Sequence, residues 1–165
     1  MDINGSTTQD LKALRGLPLT VRLDLTGVRA ITDLTPLAGM PLKMLKIFGN
    51  GLITDLIPLH DCPIEILIIS YCDRITDISP IAQGKLQRLS LVGSGNIVNL
   101  RPLSACTELR ELVLPQNAKD IEFLRALPKL KTLGYTADVG GEWTTMTAEQ
   151  FWKDHDAKAS SAAQK

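Results

Sequence analysis

The sequence predicts an α/β solenoid, with short parallel strands on a concave side, 3-10 or short helices and turns on a convex side, and helical caps at the ends. Three observations support this fold class. A seven-residue motif recurs every 22 residues, a second motif with strand-like alternation follows each copy, and amphipathic segments flank the repeats. We therefore assign residues 1–165 to a single domain.

The first motif reads Ile-Thr-Asp-Leu-x-Pro-Leu and is predicted to lie on the convex side. Its copies begin at residues 31, 53, 75 and 97, and a looser copy begins at residue 121. One such unit cannot bury its apolar face alone, so stacked units must share a core. The pairs Thr35-Pro36 and Ser79-Pro80 have the order of a cap and a first helical residue, which favours short helical turns here.

Carboxylate and amide side chains form a column within this motif, at Asp33, Asp55, Asp77 and Asn99. We expect them to cap backbone N–H groups of the turns. A calcium site is the weaker alternative, because each ion would need several more oxygen ligands. The repeat offers no second acidic column to supply them.

The second motif follows L-x-x-L-x-L-x-x-N and is predicted to form the strands. In the copy at residues 42–50, alternation places Leu45 and Ile47 on the core face. About six such segments fit between residues 18 and 136. The closing position of the motif, which we expect to point inward and satisfy backbone groups, is held by Asn50, Cys72, Ser94 and Asn117.

These paired motifs resemble leucine-rich repeats, of the 22-residue kind that internalin-type bacterial proteins use. The resemblance covers roughly residues 17–135 and implies the solenoid fold, while it leaves the partner open. A second resemblance covers about residues 121–156, through Glu122-Phe123-Leu124-Arg125, Leu127–Tyr135 and Glu149–Lys153. That segment looks like the closing part of repeat regions attached to bacterial serine/threonine protein kinases. It implies an accessory region, and since the kinase motifs are missing from the sequence it implies no kinase activity.

The N-terminal cap is predicted at residues 7–17. Its sequence reads as a short amphipathic helix with a glycine stop at Gly16. Leu11, Leu14 and Leu17 are expected to cover the first repeat.

The C-terminal cap is predicted at residues 137–157. Thr147 begins a capping-box pattern, so a helix is expected from about residue 148 to 157. Phe151 and Trp152 on that helix should close the last repeat, with Trp143 as a further candidate. Residues 158–165 contain no core-forming side chain and are expected to be a disordered tail.

Composition restricts the function classes. The 18 basic and 18 acidic residues balance, which argues against nucleic-acid and membrane partners. No apolar run is long enough to span a bilayer, and the N-terminus has no secretory pattern. We therefore expect a cytoplasmic location, unless the sequence begins after a removed or missing segment.

The three cysteines are expected to be free thiols, because their low, odd number does not suggest a disulfide framework.

We find no pattern for catalysis, and we predict no cofactor and no metal. His60 and His155 have no cysteine or histidine at metal-ligand spacing. The segment Val92–Asn96 superficially resembles a phosphate-binding glycine loop, but it lacks the lysine or third glycine of such loops and is expected to be a turn.

The concave sheet is the predicted binding surface. Its outward strand positions form three columns that run across the repeats. They contain an apolar area with a basic edge, a composition typical of protein interfaces, and the predicted partner-binding residues are Met44, Lys46, Phe48, Ile66, Ile68, Tyr71, Arg88, Val92 and Val113. We therefore expect a non-catalytic protein-interaction module. The alternative is a regulatory or spacer region from a larger kinase-like protein that packs on its own chain.

Overall fold

A computed structural model of the chain describes residues 10–17, 21–136, 143–144 and 146–163. Six short strands pair in parallel and in chain order to form one sheet. They are β1 (Arg22–Asp24), β2 (Met44–Phe48), β3 (Ile66–Ser70), β4 (Arg88–Ser90), β5 (Glu111–Val113) and β6 (Thr132–Gly134).

The register of the sheet follows from the 22-residue period. Leu23 pairs with Leu45, and Leu45 with Leu67, so equivalent positions of successive repeats stand side by side. Because side chains alternate across a strand, the leucines of this row all point to the same face. That face packs against the convex turns and forms one continuous apolar core.

The convex side consists of 3-10 turns, as predicted: Thr35–Leu37, Ile57–Leu59, Ser79–Ile81, Arg101–Ala105 and Glu122–Ala126. The column of acidic and amide side chains caps them. The Oδ1 atom of Asp33, for example, accepts a hydrogen bond from the backbone N–H of Thr35 at 2.7 Å. Asp55, Asp77 and Asn99 accept the equivalent bond, which confirms the prediction of backbone caps.

The closing position of the strand motif points inward in most repeats. Asn50 is buried; its amide donates to the carbonyls of Val28 and Ile31 and accepts from two backbone N–H groups. Ser94 is also buried and bonded to backbone. The prediction is wrong for Asn117, which is exposed and donates to the Gly95 carbonyl. The following repeat starts two residues later than the 22-residue period requires, which changes the path of this turn.

The N-terminal end is covered by a 3-10 turn over Lys12–Leu14, shorter than the expected helix. Leu11 and Leu14 are buried against the first repeat, as predicted. Leu17 is 40% exposed, so its predicted role in the cap is wrong. It follows Gly16, whose φ of 74° turns the chain at this point. Residues 7–9 of the predicted cap lie outside the described residues.

The C-terminal end is covered by a helix, α1 (Ala148–Ala163). The Thr147 hydroxyl accepts the Gln150 backbone N–H at 3.2 Å, as the capping box predicts. Phe151 and Trp152 are buried, also as predicted. Residues 137–142 and 145 of the predicted cap lie outside the described residues.

Helix α1 is six residues longer than expected. The prediction of a disordered tail over 158–165 is therefore wrong for 158–163, while 164–165 lie outside the described residues. Ala and Lys are strong helix formers, so this segment continues a helix that has already started without needing a buried face. The hydroxyls of Ser160 and Ser161 bond to backbone carbonyls one turn earlier.

Candidate functional site: the concave sheet

The outward positions of the sheet form the columns that the sequence predicts. One column runs Arg22, Met44, Ile66, Arg88, Glu111 and Thr132, and the next runs Asp24, Lys46, Ile68, Ser90, Val113 and Gly134. Phe48 and Ser70 pair in a third column. Periodicity alone was sufficient to place these residues side by side.

Seven of the nine predicted binding residues have some exposure. Tyr71 is 53% exposed, and the half-buried residues are Met44, Lys46, Phe48, Ile66, Arg88 and Val92. Ile68 and Val113 are fully buried, so their prediction as an exposed surface is wrong. Both lie outside the core cluster, which shows that they are covered on the concave side.

The C-terminal segment of the chain lies on this side of the sheet. The guanidinium carbon of Arg88 is 4.0 Å from the centroid of the Trp143 ring. Thr144 is buried against Gly134, where an added Cβ would come within 2.8 Å of the Thr144 hydroxyl oxygen. The backbone then pairs with the free edge of β6, because the Leu133 N–H donates to the Met146 carbonyl at 3.1 Å. Side chains of the segment 143–144 therefore occupy the half of the concave sheet that contains β4 to β6.

The half that contains β2 and β3 carries an aromatic pair. The rings of Phe48 and Tyr71 are 5.2 Å apart and inclined by 58°. The Lys46 ammonium lies 6.0 Å from the Phe48 ring centroid, a distance at which a cation is attracted to the ring. This cluster of Lys46, Phe48 and Tyr71, here called the aromatic cluster, stands at the carboxyl ends of the strands.

Tyr71 has an unusual backbone. Its φ is 54°, in the left-handed region that costs an L-residue about 1–2 kcal/mol. Gly27, Gly49 and Gly93 hold the same place in three other repeats, with φ near 70°. The Tyr71 ring lies against Gly93, where a Cβ would stand 2.5 Å from ring carbon Cδ1. The ring is thus held between Phe48 and the Gly93 backbone.

Ion pairs fix the charged side chains of the face. Arg88 donates from Nε to Glu111 at 2.7 Å, between neighbouring strands. Lys43 pairs with Glu65 at 3.3 Å at the amino ends of the strands. Charges of both signs therefore lie along the sheet, in agreement with the balanced composition.

Other chemical groups have structural roles. The cysteines are free and buried, as predicted, and burial raises the pKa of the Cys72 and Cys106 thiols to about 11. Such thiols are poor nucleophiles.

Among the described residues, one group of possible metal ligands comes together, Glu122, His155 and Asp156. The Arg125 guanidinium already pairs with both carboxylates, so these residues join α1 to the last convex turn. Within the described residues, no helix has the length and apolar character to cross a bilayer.

The architecture is shared with two solved bacterial structures. An internalin (inlF) from Listeria monocytogenes str. 4b F2365 superposes with a TM-score of 0.72 at 25% identity, over 84% of this chain and 42% of that one. An internalin C2 (inlC2) from the same strain gives 0.64 at 24% identity, over 84% and 63%. The chain is a leucine-rich-repeat solenoid. It spans less than two thirds of the length of either internalin structure.

No protein family matches this sequence by its family model, and no curated protein matches it. The second resemblance, to kinase-attached repeat regions, therefore stays a prediction.

Sequence reasoning about the solenoid missed the role of Trp143, which was expected to help close the last repeat. It also missed the strain at Tyr71. The signal for that strain was present, because glycine occupies the equivalent position of both neighbouring repeats.

Proposed function

We propose that this leucine-rich-repeat chain is a non-catalytic protein-interaction module that binds a protein partner through its concave sheet. The aromatic cluster and the neighbouring residues Met44 and Ile66 form the center of the binding surface. The strongest support is Tyr71, which keeps an exposed aromatic ring at a backbone position where the neighbouring repeats use glycine. Local strain of this kind commonly accompanies function.

The composition of the cluster agrees with binding. Aromatic side chains are enriched among the residues that dominate interface energies. Tyr71 is held between Phe48 and Gly93, so little side-chain freedom remains to be lost on binding. The balanced charge gives no reason to propose a nucleic acid or a membrane as partner, and cytoplasmic location stays a prediction.

A Tyr71→Gly variant tests the proposal. Glycine adopts positive φ at no steric cost, and this relief offsets the lost ring contacts with Phe48 and Gly93, so the variant should melt close to the wild-type temperature. It should nevertheless lose at least about tenfold in affinity, as expected for an anchor whose truncation costs about 2 kcal/mol. The partner is first identified by pull-down with the intact chain, and affinities are then measured by calorimetry.

His60→Ala provides the matched control, because His60 is exposed on the convex side. Normal binding by Tyr71→Gly together with weakened binding by His60→Ala would place the functional surface on the convex side. Ile68→Asp is not a clean probe of binding. Ile68 is buried, so the introduced carboxylate would destabilise the fold itself.

A second candidate is the regulatory or spacer region of a larger kinase-like protein. One observation favours it, since part of the concave sheet is already covered by the chain's own segment 143–144. The complete gene distinguishes the two candidates. A catalytic domain in the same polypeptide, together with protection of the aromatic cluster by that domain in hydrogen exchange, supports the spacer role.

A further inference from the structure

The buried half of the concave sheet has an occupant from the same chain. Ser90 and Val113 are fully buried in one outward column, as is Ile68 next to them on β3, and the described residues placed over the half with β4 to β6 are Trp143 and Thr144. We propose that Trp143 and Thr144 are a displaceable occupant of the sheet, and that a partner exchanges with them by placing an aromatic side chain on Arg88. The proposal rests on the concave sheet being the binding surface.

The contacts of the occupant with the described residues of the sheet are made by its two side chains. Trp143 stacks on Arg88 and remains half-buried, and Thr144 packs against Gly134. The backbone hydrogen bonds from Leu133 to the Met146 carbonyl and from Ala148 to the Lys131 carbonyl lie at the edge of β6, away from Ser90. The segment 143–144 can therefore leave the face of the sheet while the edge pairing and helix α1 remain in place.

The closed arrangement also leaves polar groups without partners. Among the described residues of the covered half, the hydroxyls of Ser90 and Thr132 are buried and make no hydrogen bond. A buried hydroxyl without a partner costs free energy that solvation restores. Opening the segment exposes apolar surface but allows hydroxyls beneath it to bond to water, which narrows the free-energy difference between the closed and open states.

The same features define the chemistry of the exchanging partner. Glu111 holds the Arg88 guanidinium in place. The planar face of the guanidinium can therefore stack on an aromatic ring from another chain. Ser90 offers a hydroxyl that the internal occupant does not use. A protein segment with an aromatic residue beside a hydrogen-bonding group would replace the Trp143 contact and add a bond to Ser90.

Thiol labelling in the intact chain tests the opening. Ser90→Cys is nearly isosteric and places a thiol beneath the occupant, while the core thiols Cys62, Cys72 and Cys106 report global unfolding. We expect the introduced thiol to react with a maleimide faster than the core thiols under native conditions. Trp143→Ala should raise its rate by about tenfold, the factor expected for loss of a partly desolvated cation–π contact. Reaction of all four thiols at one rate in both backgrounds would overturn the proposal.

Arg88→Met provides a second variant that removes the contact from the side of the sheet. It should accelerate labelling as Trp143→Ala does; no acceleration by either variant counts against the proposal. A synthetic peptide with the sequence of residues 141–147 is the probe for exchange. It should slow labelling in the Trp143→Ala background, whereas a peptide with alanine at the Trp position should not. No protection by the first peptide contradicts the exchange.

Failure of this proposal is separable from failure of the proposed function. Tyr71→Gly lies outside the covered half and should leave the labelling rate at position 90 unchanged. Normal partner binding by that variant rejects the aromatic cluster. Uniform labelling of all thiols rejects the displaceable occupant.

Discussion

At the scale of single residues, hydrogen-bonding side chains distinguish the repeats more than their apolar residues do. Leucine and isoleucine both occur at the inward strand positions, as in Leu45 and Ile47, whereas Asn50 connects two turns through four hydrogen bonds to backbone groups. Ser94, at the equivalent position, makes two. The stability contributed by this position should therefore follow the number of backbone groups that each side chain satisfies.

Asn50→Ala should lower the free energy of unfolding by about 3 kcal/mol or more. The substitution leaves buried carbonyl and N–H groups without partners, and each costs about 1–3 kcal/mol. Ser94→Ala is the matched control and should cost less, because fewer backbone groups lose a partner. Urea unfolding followed by circular dichroism measures both. Equal losses would contradict this reading of the inward position.

The convex carboxylates should make the fold sensitive to acid. Hydrogen bonds from the Ser79 backbone N–H and hydroxyl hold the pKa of Asp77 below its ordinary value, and bonds from Thr35 lower the pKa of Asp33. Their stabilising contribution is therefore complete above the unfolded pKa of about 3.9 and is lost as pH falls through the lower folded pKa.

The Asp33→Asn and Asp77→Asn double variant should keep the caps, as Asn99 does in its own turn. Because an amide does not titrate, the variant should lose less stability than the wild type below about pH 4. Melting temperatures measured from neutral pH down to about pH 2 test this. If the melting temperatures of the two proteins fall in parallel with pH, these caps contribute nothing to acid sensitivity.

At the scale of elements, the strands and turns were predictable because each is repeated. A single copy of the Leu-x-Leu alternation does not by itself establish a strand. The in-phase copies at Leu45, Leu67 and Leu89 favour parallel strands with these leucines side by side. The unrepeated elements were predicted less well. Helix α1 is longer than expected, and Trp143 lies on the sheet face. A local sequence pattern does not show where the segment that follows the last repeat packs.

The cap formed by α1 should be essential, and its exposed end should not. Phe151 packs against Tyr135 at 5.4 Å between ring centroids, and Arg125 stacks on Trp152 at 3.9 Å. Replacing both Phe151 and Trp152 with alanine should cost several kcal/mol, since each such truncation in a packed site costs about 3–5 kcal/mol. Thermal melting measures the loss.

Deletion of residues 158–165 is the control for this prediction. The side chains described in that segment are exposed, at residues 158–161, so its removal should shift stability by less than about 0.5 kcal/mol. A large loss on this deletion would mean that the end of α1 has contacts beyond those described. An unchanged melting temperature after deletion of residues 143–165 would show that the whole cap is dispensable.

At the scale of the whole molecule, the sequence predicted what the repeats share but not what covers them. The three outward columns were correct in register, whereas the burial of Ile68 and Val113 does not follow from the periodic pattern. Burial on the core side follows from the motif itself. Burial on the concave side depends on tertiary contacts such as the packing of Thr144 on Gly134, which the sequence marks only by the glycine itself.

The solenoid should lose structure from its N-terminal end before its center. Stability in such a fold is roughly a sum over repeats and their nearest-neighbour interfaces. Strand β1 pairs with β2 alone among the strands, whereas β3 pairs on both sides. At equivalent, fully buried positions, Leu23→Ala and Leu67→Ala remove the same side chain from an end and from the middle.

Leu67→Ala should cost about 2–5 kcal/mol and reduce amide protection in every strand, because loss of the middle repeat uncouples both halves. Leu23→Ala should reduce protection in β1 and β2 and leave β5 and β6 near wild-type values, since helix α1 still covers the other end. Native-state hydrogen exchange resolved by residue distinguishes these patterns. Equal loss of protection in β6 for the two variants would show that the chain unfolds as one unit, with no gradient from end to center.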